Sequence, residues 1–157
     1  MMKITFVCTG NTCRSSMAEA LARKWVQTNN VFPGAIELAS AGLLAGHGSP
    51  ASPQAIEVMG LRGIDLTLHW ASQFTAETAV QSDIILTMTE NHKLSVLRLF
   101  PTVAPKVFTL AEFAGWSGID ISDPYGQSPK VYEQCARQLE ELVGQALHTI
   151  ITKQGRY

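Results

Sequence analysis

The sequence has no excess of charge of either sign and no long apolar run. Twelve Lys and Arg residues stand against thirteen Asp and Glu residues among 157, which gives a formal net charge of −1. A protein that coats nucleic acid or lies on an anionic membrane needs a basic excess or a polybasic stretch, so we expect neither partner. No apolar run approaches the ~20 residues that a transmembrane helix requires.

Cysteine is scarce as well, and occurs only as Cys8, Cys13 and Cys135. A small and odd number of cysteines argues against the disulfide framework that supports many small secreted domains. The apolar stretch over residues 1–7 is short and lacks the small-residue cleavage site of a secretory signal. We therefore expect a cytoplasmic protein in which each thiol needs its own explanation.

Length and hydrophobic periodicity predict one α/β domain over residues 1–157. Apolar residues make up 46% of the chain, which is enough for a packed core. Strands that alternate with helices form a parallel sheet covered by helices on both faces, and ligands then lie beyond the carboxyl ends of the strands. The predicted strands cover 3–7, 35–39, 84–88 and 106–109. The predicted helices cover 14–27, 90–99, 110–114 and 130–151, and a further helix begins at Pro53 and ends near Gly60 or Gly63.

The loop after the first strand carries the strongest chemical signal, Cys8-Thr9-Gly10-Asn11-Thr12-Cys13-Arg14-Ser15. Gly10 and Asn11 tolerate a left-handed backbone, so the loop can turn its N–H groups inward as an anion-binding nest beside a helix N-terminus. Arg14 offers a planar fork of donors to two phosphate oxygens. Cys8 lies at the floor of this positive site, where the thiolate is favoured and acts as a nucleophile, and Ser15 can hydrogen-bond its sulfur.

Two other interpretations of this loop are weaker. A buried structural cysteine beside an ordinary helix cap accounts for Cys8 alone, but not for the whole combination of strand, loop, arginine and helix. A nucleotide-binding loop is excluded because neither Gly-x-x-x-x-Gly-Lys-Ser/Thr nor Gly-x-Gly-x-x-Gly occurs here.

A thiolate that attacks phosphorus needs a partner that protonates the leaving group. The candidate is Asp123 in Asp123-Pro124-Tyr125, within the Gly- and Pro-rich segment 117–129. Pro124 restricts the backbone of Asp123 and helps to aim its carboxylate. Taken alone, the tripeptide also fits an ordinary Asp-Pro turn.

With both motifs in order, the chain resembles the low-molecular-weight protein tyrosine phosphatase family along essentially its whole length. The resemblance implies that Cys8 forms a phosphocysteine, Arg14 and the loop hold the phosphoryl oxygens, and Asp123 is the general acid. It also implies phosphorylated protein substrates, a monomer, and no metal or cofactor. Further positions that it assigns are the phosphate-binding residues Thr9, Gly10, Asn11, Thr12, Cys13 and Ser15, and the residues Ser40 and His69, which would hydrogen-bond around Asn11.

The sequence favours phosphoarginine over phosphotyrosine as the substrate. Thr12 stands where tyrosine-specific members of the family commonly carry Ile or Leu, and in this respect the chain resembles the bacterial protein-arginine phosphatases. Residues 89–93 and Ser72 also look like that subgroup. Tyr125 is typical of tyrosine-directed members, so a phosphotyrosine phosphatase is the alternative. Trp116 and Tyr125 are the candidate walls of the substrate pocket, since either ring stacks on an aromatic ring or on a guanidinium.

The remaining cysteines raise two further points. In the family, the neighbour of the nucleophile, here Cys13, can form a reversible disulfide with Cys8 that protects it from over-oxidation.

Arsenate reduction, which some relatives of this fold perform, needs a close pair of later cysteines, and only Cys135 lies outside the loop. A phosphate-binding module without activity is disfavoured because Cys8, Arg14 and Asp123 are all present.

Overall fold

The computed structural model describes residues 1–154, so the last three residues of the predicted domain lie outside the described part. These residues form one four-stranded sheet of parallel strands in the order β2-β1-β3-β4, which confirms the predicted α/β class. The strands are β1 (Met2–Cys8), β2 (Ile36–Gly42), β3 (Ile84–Thr87) and β4 (Val107–Thr109).

The helices of the described part agree largely with the periodic stretches of the sequence. They are α1 (Arg14–Thr28), α2 (Pro53–Gly60), α3 (Ala76–Gln81), α4 (Glu90–Leu99), α5 (Leu110–Phe113) and α6 (Pro129–Gln154), with a 3₁₀ helix over Pro101–Lys106. Neither α3 nor the 3₁₀ helix was predicted. Helix α3 has six residues, of which only Ala79 is buried, so it shows no apolar period. Pro101 indicates the end of α4, and it also opens the 3₁₀ helix.

Helices cover both faces of the sheet, and β1 alternates between them. Ile4 and Phe6 pack into a core cluster that contains residues of α1, α2, α5 and α6. Val7 points to the other face, where a smaller cluster includes Ala79 of α3 and Val96 of α4. From Ile4 to Cys8 the side chains of this central strand are buried on both faces, because each face meets a helix layer. The buried polar residue among them, Thr5, has its Oγ1 2.7 Å from Ser82 Oγ.

The strand order places the carboxyl end of β1 at a switch point. The chain leaves β1 toward β2 on one side and later returns to β3 on the other side. Crossovers in opposite directions open a crevice at that point, where ligands of such sheets bind. Cys8 is the last residue of β1 and therefore lies at the crevice. Among residues 1–154, no helix combines the length and apolar character needed to cross a membrane.

Candidate active site

The loop between β1 and α1 is held by the side chain and backbone of Asn11. Asn11 adopts φ 57°, and it is buried. Its Nδ2 donates to Ser15 Oγ at 2.8 Å, and its Oδ1 accepts from the Ser72 N–H at 3.0 Å. His69 Nε2 lies 2.6 Å from the Asn11 carbonyl oxygen. Gly10, in contrast, does not use the left-handed region, so only one of the two candidate positions provides the turn.

Gly42 at the end of β2 allows the loop to lie directly against the sheet. A Cβ atom at this position would lie 2.6 Å from the Thr9 carbonyl oxygen and 3.0 Å from the Asn11 nitrogen. The following backbone binds the loop, since the N–H groups of Leu43 and Leu44 donate to the carbonyl oxygens of Cys8 and Thr9. The loop therefore depends on β2 for its shape as well as on its own residues.

The Cys8 sulfur receives two hydrogen-bonding groups. Ser15 Oγ lies 2.9 Å from Cys8 Sγ, the contact that the sequence predicts, and the Asn11 N–H donates to the same sulfur at 3.3 Å. Cys8 is only 3% exposed, yet it lines the cavity described below. A hydroxyl and a backbone N–H in contact with the sulfur are groups that can donate to a thiolate, the form of cysteine that acts as a nucleophile.

The N-terminus of α1 is open to an anion. Cys13 occupies the cap position, its side chain makes no hydrogen bond to the N–H groups of the first turn, and that turn holds no acidic residue. The first N–H groups of a helix have no partner within the helix, and its dipole favours negative charge there. The N–H groups of this first turn are therefore available to an anion such as a phosphoryl group.

Arg14 connects this loop to the distant segment that contains Asp123. Its guanidinium is almost fully buried, Nη1 donates to the Ile121 carbonyl oxygen at 3.0 Å, and Nη2 lies 3.5 Å from Asp123 Oδ2. A guanidinium has five N–H donors, so donors remain for a bound anion. The Asp123 side chain is 54% exposed. Its Oδ1 accepts from the Tyr125 N–H at 3.1 Å, a short turn that orients the carboxylate.

A cavity of about 520 Å³ opens above these groups. It joins Cys8, Arg14 and Asp123 to the segment that leads into α2, and Thr9 and Thr12 lie among its lining residues. Its lining residues are Cys8, Thr9, Gly10, Thr12, Cys13, Arg14, Gly46, Ser49, Pro50, Ala51, Ser52, Pro53, Asp123 and Tyr125.

Two sequence predictions for this site are wrong. Ser40 does not contact Asn11, because its hydroxyl donates to Glu19 Oε2 at 3.1 Å and so faces α1. Trp116 does not line the cavity, because its Nε1 donates to Gln145 Oε1 on α6 at 2.8 Å. Tyr125 is the aromatic residue that does line the cavity, and it is 71% exposed.

Sequence reasoning missed the buried tyrosine behind the loop. Tyr132 on α6 is fully buried and its OH lies 3.2 Å from Cys13 Sγ. Burial raises the pKa of Tyr132 to about 12, so the phenol stays neutral. Ser52 also contacts this sulfur, with its Oγ 3.4 Å away. The Ser-Pro start of α2 was a visible signal for Ser52, but nothing in the sequence pairs either residue with Cys13.

All three thiols are free in the described residues. Burial raises the pKa of Cys135 to about 12, which leaves it as an unreactive thiol on α6. The protection of Cys8 by Cys13 stays a prediction.

Sequence reasoning also missed His92 on α4. Its Nε2 lies 2.9 Å from Thr9 Oγ1, and the residue is 8% exposed. Burial and the nearby Arg14 lower the pKa of His92 to about 4, so its ring is neutral at physiological pH. Residues 89–93 resemble those of the protein-arginine phosphatases, but a histidine inside a helix pattern gives no sign of which loop it meets.

The site combines a cysteine at the end of a strand with a loop whose carbonyl oxygens are bound by neighbouring segments. It adds a buried arginine at the start of the next helix and an aspartate that lines the same cavity. This arrangement is that of a cysteine-dependent phosphatase. Comparison with known proteins agrees with this class. Residues 3–156 match the family described as low molecular weight phosphotyrosine protein phosphatase.

Individual relatives cover nearly the whole chain. A protein-arginine-phosphatase of Bacillus subtilis (strain 168) is 40% identical over 92% of this chain and 93% of its own length. The low molecular weight protein-tyrosine-phosphatase PtpB of Staphylococcus haemolyticus is 39% identical over 91% and 96%. Among solved structures, a mutant of the YwlE arginine phosphatase with a phosphorylated active-site serine superimposes with a TM-score of 0.92, at 38% identity over 99% of each chain.

The chain belongs to the low molecular weight phosphotyrosine protein phosphatase family, and it is a cysteine-dependent protein phosphatase. The resemblance predicted from the two motifs is thereby confirmed.

Proposed function

We propose that this chain hydrolyses phosphorylated arginine side chains of proteins, with Cys8, Arg14 and Asp123 as its catalytic residues. The main support for this proposal is a residue that lines the cavity. Thr12 lines the cavity together with Cys8, and an aliphatic side chain at this position would pack on an aromatic ring. A hydroxyl instead hydrogen-bonds a guanidinium nitrogen. Relatives named protein-arginine-phosphatase at about 40% identity support the same substrate.

The first step transfers the phosphoryl group to sulfur. The Cys8 thiolate attacks phosphorus, a sulfur–phosphorus bond forms, and the bond from phosphorus to the guanidine nitrogen breaks. Asp123 donates its proton to the departing nitrogen. Arg14 and the loop N–H groups hold the phosphoryl oxygens, and they stabilise the charge that redistributes in the transition state.

The second step restores the thiolate. A water molecule attacks the phosphocysteine, and Asp123, now a carboxylate, accepts its proton. The sulfur–phosphorus bond breaks, inorganic phosphate leaves, and the electron pair returns to the Cys8 sulfur. Ser15 and the Asn11 N–H, both in contact with Cys8 Sγ, stabilise the leaving thiolate.

Phosphotyrosine is the second candidate substrate, and Tyr125 is the observation that favours it. The exposed ring lies on the rim of the cavity and offers a surface on which a substrate ring stacks. PtpB of Staphylococcus haemolyticus, named a protein-tyrosine-phosphatase, is almost as similar as the arginine phosphatases.

The test is a comparison of kcat/KM on two peptides of the same sequence, one with phosphoarginine and one with phosphotyrosine. We expect the larger value for phosphoarginine, and a larger value for phosphotyrosine would favour the second candidate. Release of no phosphate from either peptide would reject both, and arsenate-dependent oxidation of a thiol reductant would favour an arsenate reductase. The monomeric state and the cytoplasmic location stay predictions.

A further inference from the structure

His92 is a buried titratable side chain that the mechanism above does not use. It lies in the first turn of α4, behind the loop that follows Cys8. Its Nε2 is 2.9 Å from the Thr9 hydroxyl oxygen, whereas its Nδ1 is buried without a hydrogen-bond partner among the described residues. The ring therefore has one polar contact, and that contact is to the residue directly after the nucleophile.

The position of the ring proton follows from these contacts. The neutral imidazole carries a single N–H, on either Nδ1 or Nε2. A proton on Nδ1 would leave a buried donor unpaired, which is rarer and more costly in proteins than an unpaired acceptor. The proton is therefore assigned to Nε2, which donates to Thr9 Oγ1.

The charged groups around the ring are consistent with a neutral imidazole. The positive charge of Arg14 disfavours a second proton on the ring, whereas the negative charges of Asp120 and Asp123 favour it more weakly. Burial is the largest influence and also favours the neutral form. The ring remains a single donor under ordinary assay conditions.

The hydrogen bond from His92 Nε2 fixes the orientation of the Thr9 hydroxyl. Thr9 is exposed and lines the cavity, so its oxygen faces His92 while the residue borders the substrate. Since the oxygen accepts from His92, its own proton turns away from the ring and is free to donate into the cavity.

We infer that His92 is a positioning residue, which orients the Thr9 hydroxyl so that its proton is donated to the phosphoryl group bound over Cys8. The inference rests on the proposed phosphatase function but not on the choice between arginine and tyrosine. A hydrogen bond to a charged group is worth about a factor of ten or more in binding, so its loss is measurable.

The variants are chosen to separate the donor from the packing. His92→Gln keeps an N–H donor at the same number of bonds from the backbone, and His92→Leu removes it. Thr9→Ser keeps the hydroxyl, and Thr9→Val removes it at nearly constant volume. The double variant His92→Leu/Thr9→Val closes the cycle, and His148→Gln on the exposed face of α6 is the matched control.

Two quantities are measured for each variant: kcat/KM on p-nitrophenyl phosphate, and the Kd of orthovanadate by calorimetric titration. We expect His92→Leu and Thr9→Val each to weaken both by about tenfold. His92→Gln and Thr9→Ser are expected to stay within about threefold of the wild type. His92→Leu should cause no further loss in the Thr9→Val background, because His92 acts through that hydroxyl.

Three results would overturn the inference. These are an undiminished effect of His92→Leu in the Thr9→Val background, a His92→Gln variant as weak as His92→Leu, or wild-type vanadate affinity in Thr9→Val. Wild-type vanadate affinity in Thr9→Val would overturn the inference even if His92→Leu does not fold, because Thr9 is an exposed residue. A wild-type enzyme that binds vanadate but hydrolyses no phosphorylated substrate would contradict the proposed function instead.

Discussion

The Arg14 guanidinium lies 3.5 Å from the Asp123 carboxylate, although the two residues come from opposite ends of the chain. The arginine is buried and the aspartate is half exposed, so in the proposed mechanism a fixed guanidinium lies beside a carboxylate that is accessible to substrate. This contact brings the two sequence motifs into one site. It also defines the first test of the proposed mechanism.

Asp123→Ala is expected to slow substrates with poor leaving groups by about a hundredfold or more, because these depend on a general acid. Substrates with good leaving groups should slow much less. The measurement is kcat/KM over a series of aryl phosphates of graded leaving-group pKa. Asp120→Ala is the matched control, since Asp120 lies in the same loop and accepts only from the Glu90 N–H in the contacts described. Equal slowing of all substrates by Asp123→Ala would deny it the acid role.

Cys8→Ser should abolish turnover but leave phosphate binding within about tenfold, because the loop N–H groups and Arg14 remain. A serine hydroxyl is a far weaker nucleophile than a thiolate at neutral pH. Turnover is measured on an aryl phosphate and binding by titration with inorganic phosphate. Turnover at the wild-type rate would remove Cys8 from the mechanism.

Thr12→Ile should shift preference from phosphoarginine toward phosphotyrosine by about tenfold, because it replaces a hydroxyl on the cavity wall with an apolar surface. Thr12→Val separates the loss of the hydroxyl from the added apolar bulk, since it removes the hydroxyl at nearly constant shape. The measurement is the ratio of kcat/KM for the two peptides. An unchanged ratio in both variants would contradict the role of Thr12 in specificity.

Gly42→Ala should distort the loop, because the new Cβ would lie 2.6 Å from the Thr9 carbonyl oxygen and 3.0 Å from the Asn11 nitrogen. Overpacking against backbone costs about 1–3 kcal/mol of unfolding free energy. We expect a lower Tm together with weaker vanadate binding. Gly60→Ala is the control, since its Cβ meets nothing within 4 Å at the end of α2. A Gly42→Ala variant that keeps wild-type Tm and vanadate affinity would show that the loop is not held as described.

His92 should make the protein less stable as the pH falls. Its pKa is about 4 in the folded protein and 6.5 in the unfolded chain, so only the unfolded chain gains a proton between these values. Stability is therefore complete above pH 6.5 and declines until the folded ring also titrates near pH 4. At roughly 1.4 kcal/mol for each pKa unit, the full loss is about 3 kcal/mol.

The measurement for His92 is urea unfolding at several pH values, for the wild type and for His92→Gln. The slope of the unfolding free energy against pH is compared between the two proteins. Because the other groups titrate in both, the difference between these slopes is the contribution of His92. The same slope in both would contradict a neutral buried ring.

Much of the fold could be predicted from the sequence because its elements carry local signals. Val7 and its neighbours form an apolar run typical of a central strand, and the Ser52-Pro53 pair indicates the start of α2. In the structure, Ser52 Oγ accepts from the Ala55 N–H at 3.3 Å, which is the contact of an N-cap. Helix α3 and the 3₁₀ helix escaped prediction, since short elements with few buried residues leave no periodic pattern.

The amino-acid sequence alone predicts the contact between Ser15 and the Cys8 sulfur, because both residues belong to one short loop and the start of the next helix. Arg14 lies in the same stretch, but its partners Ile121 and Asp123 come from a distant loop. Which distant groups support the loop depends on tertiary packing. Ser40 contacts Glu19, and Trp116 contacts Gln145. His92 on α4 contacts Thr9, and Tyr132 on α6 contacts Cys13. Side-chain partners between elements depend on how helices pack on the sheet, and that packing leaves no trace in the spacing of residues along one segment.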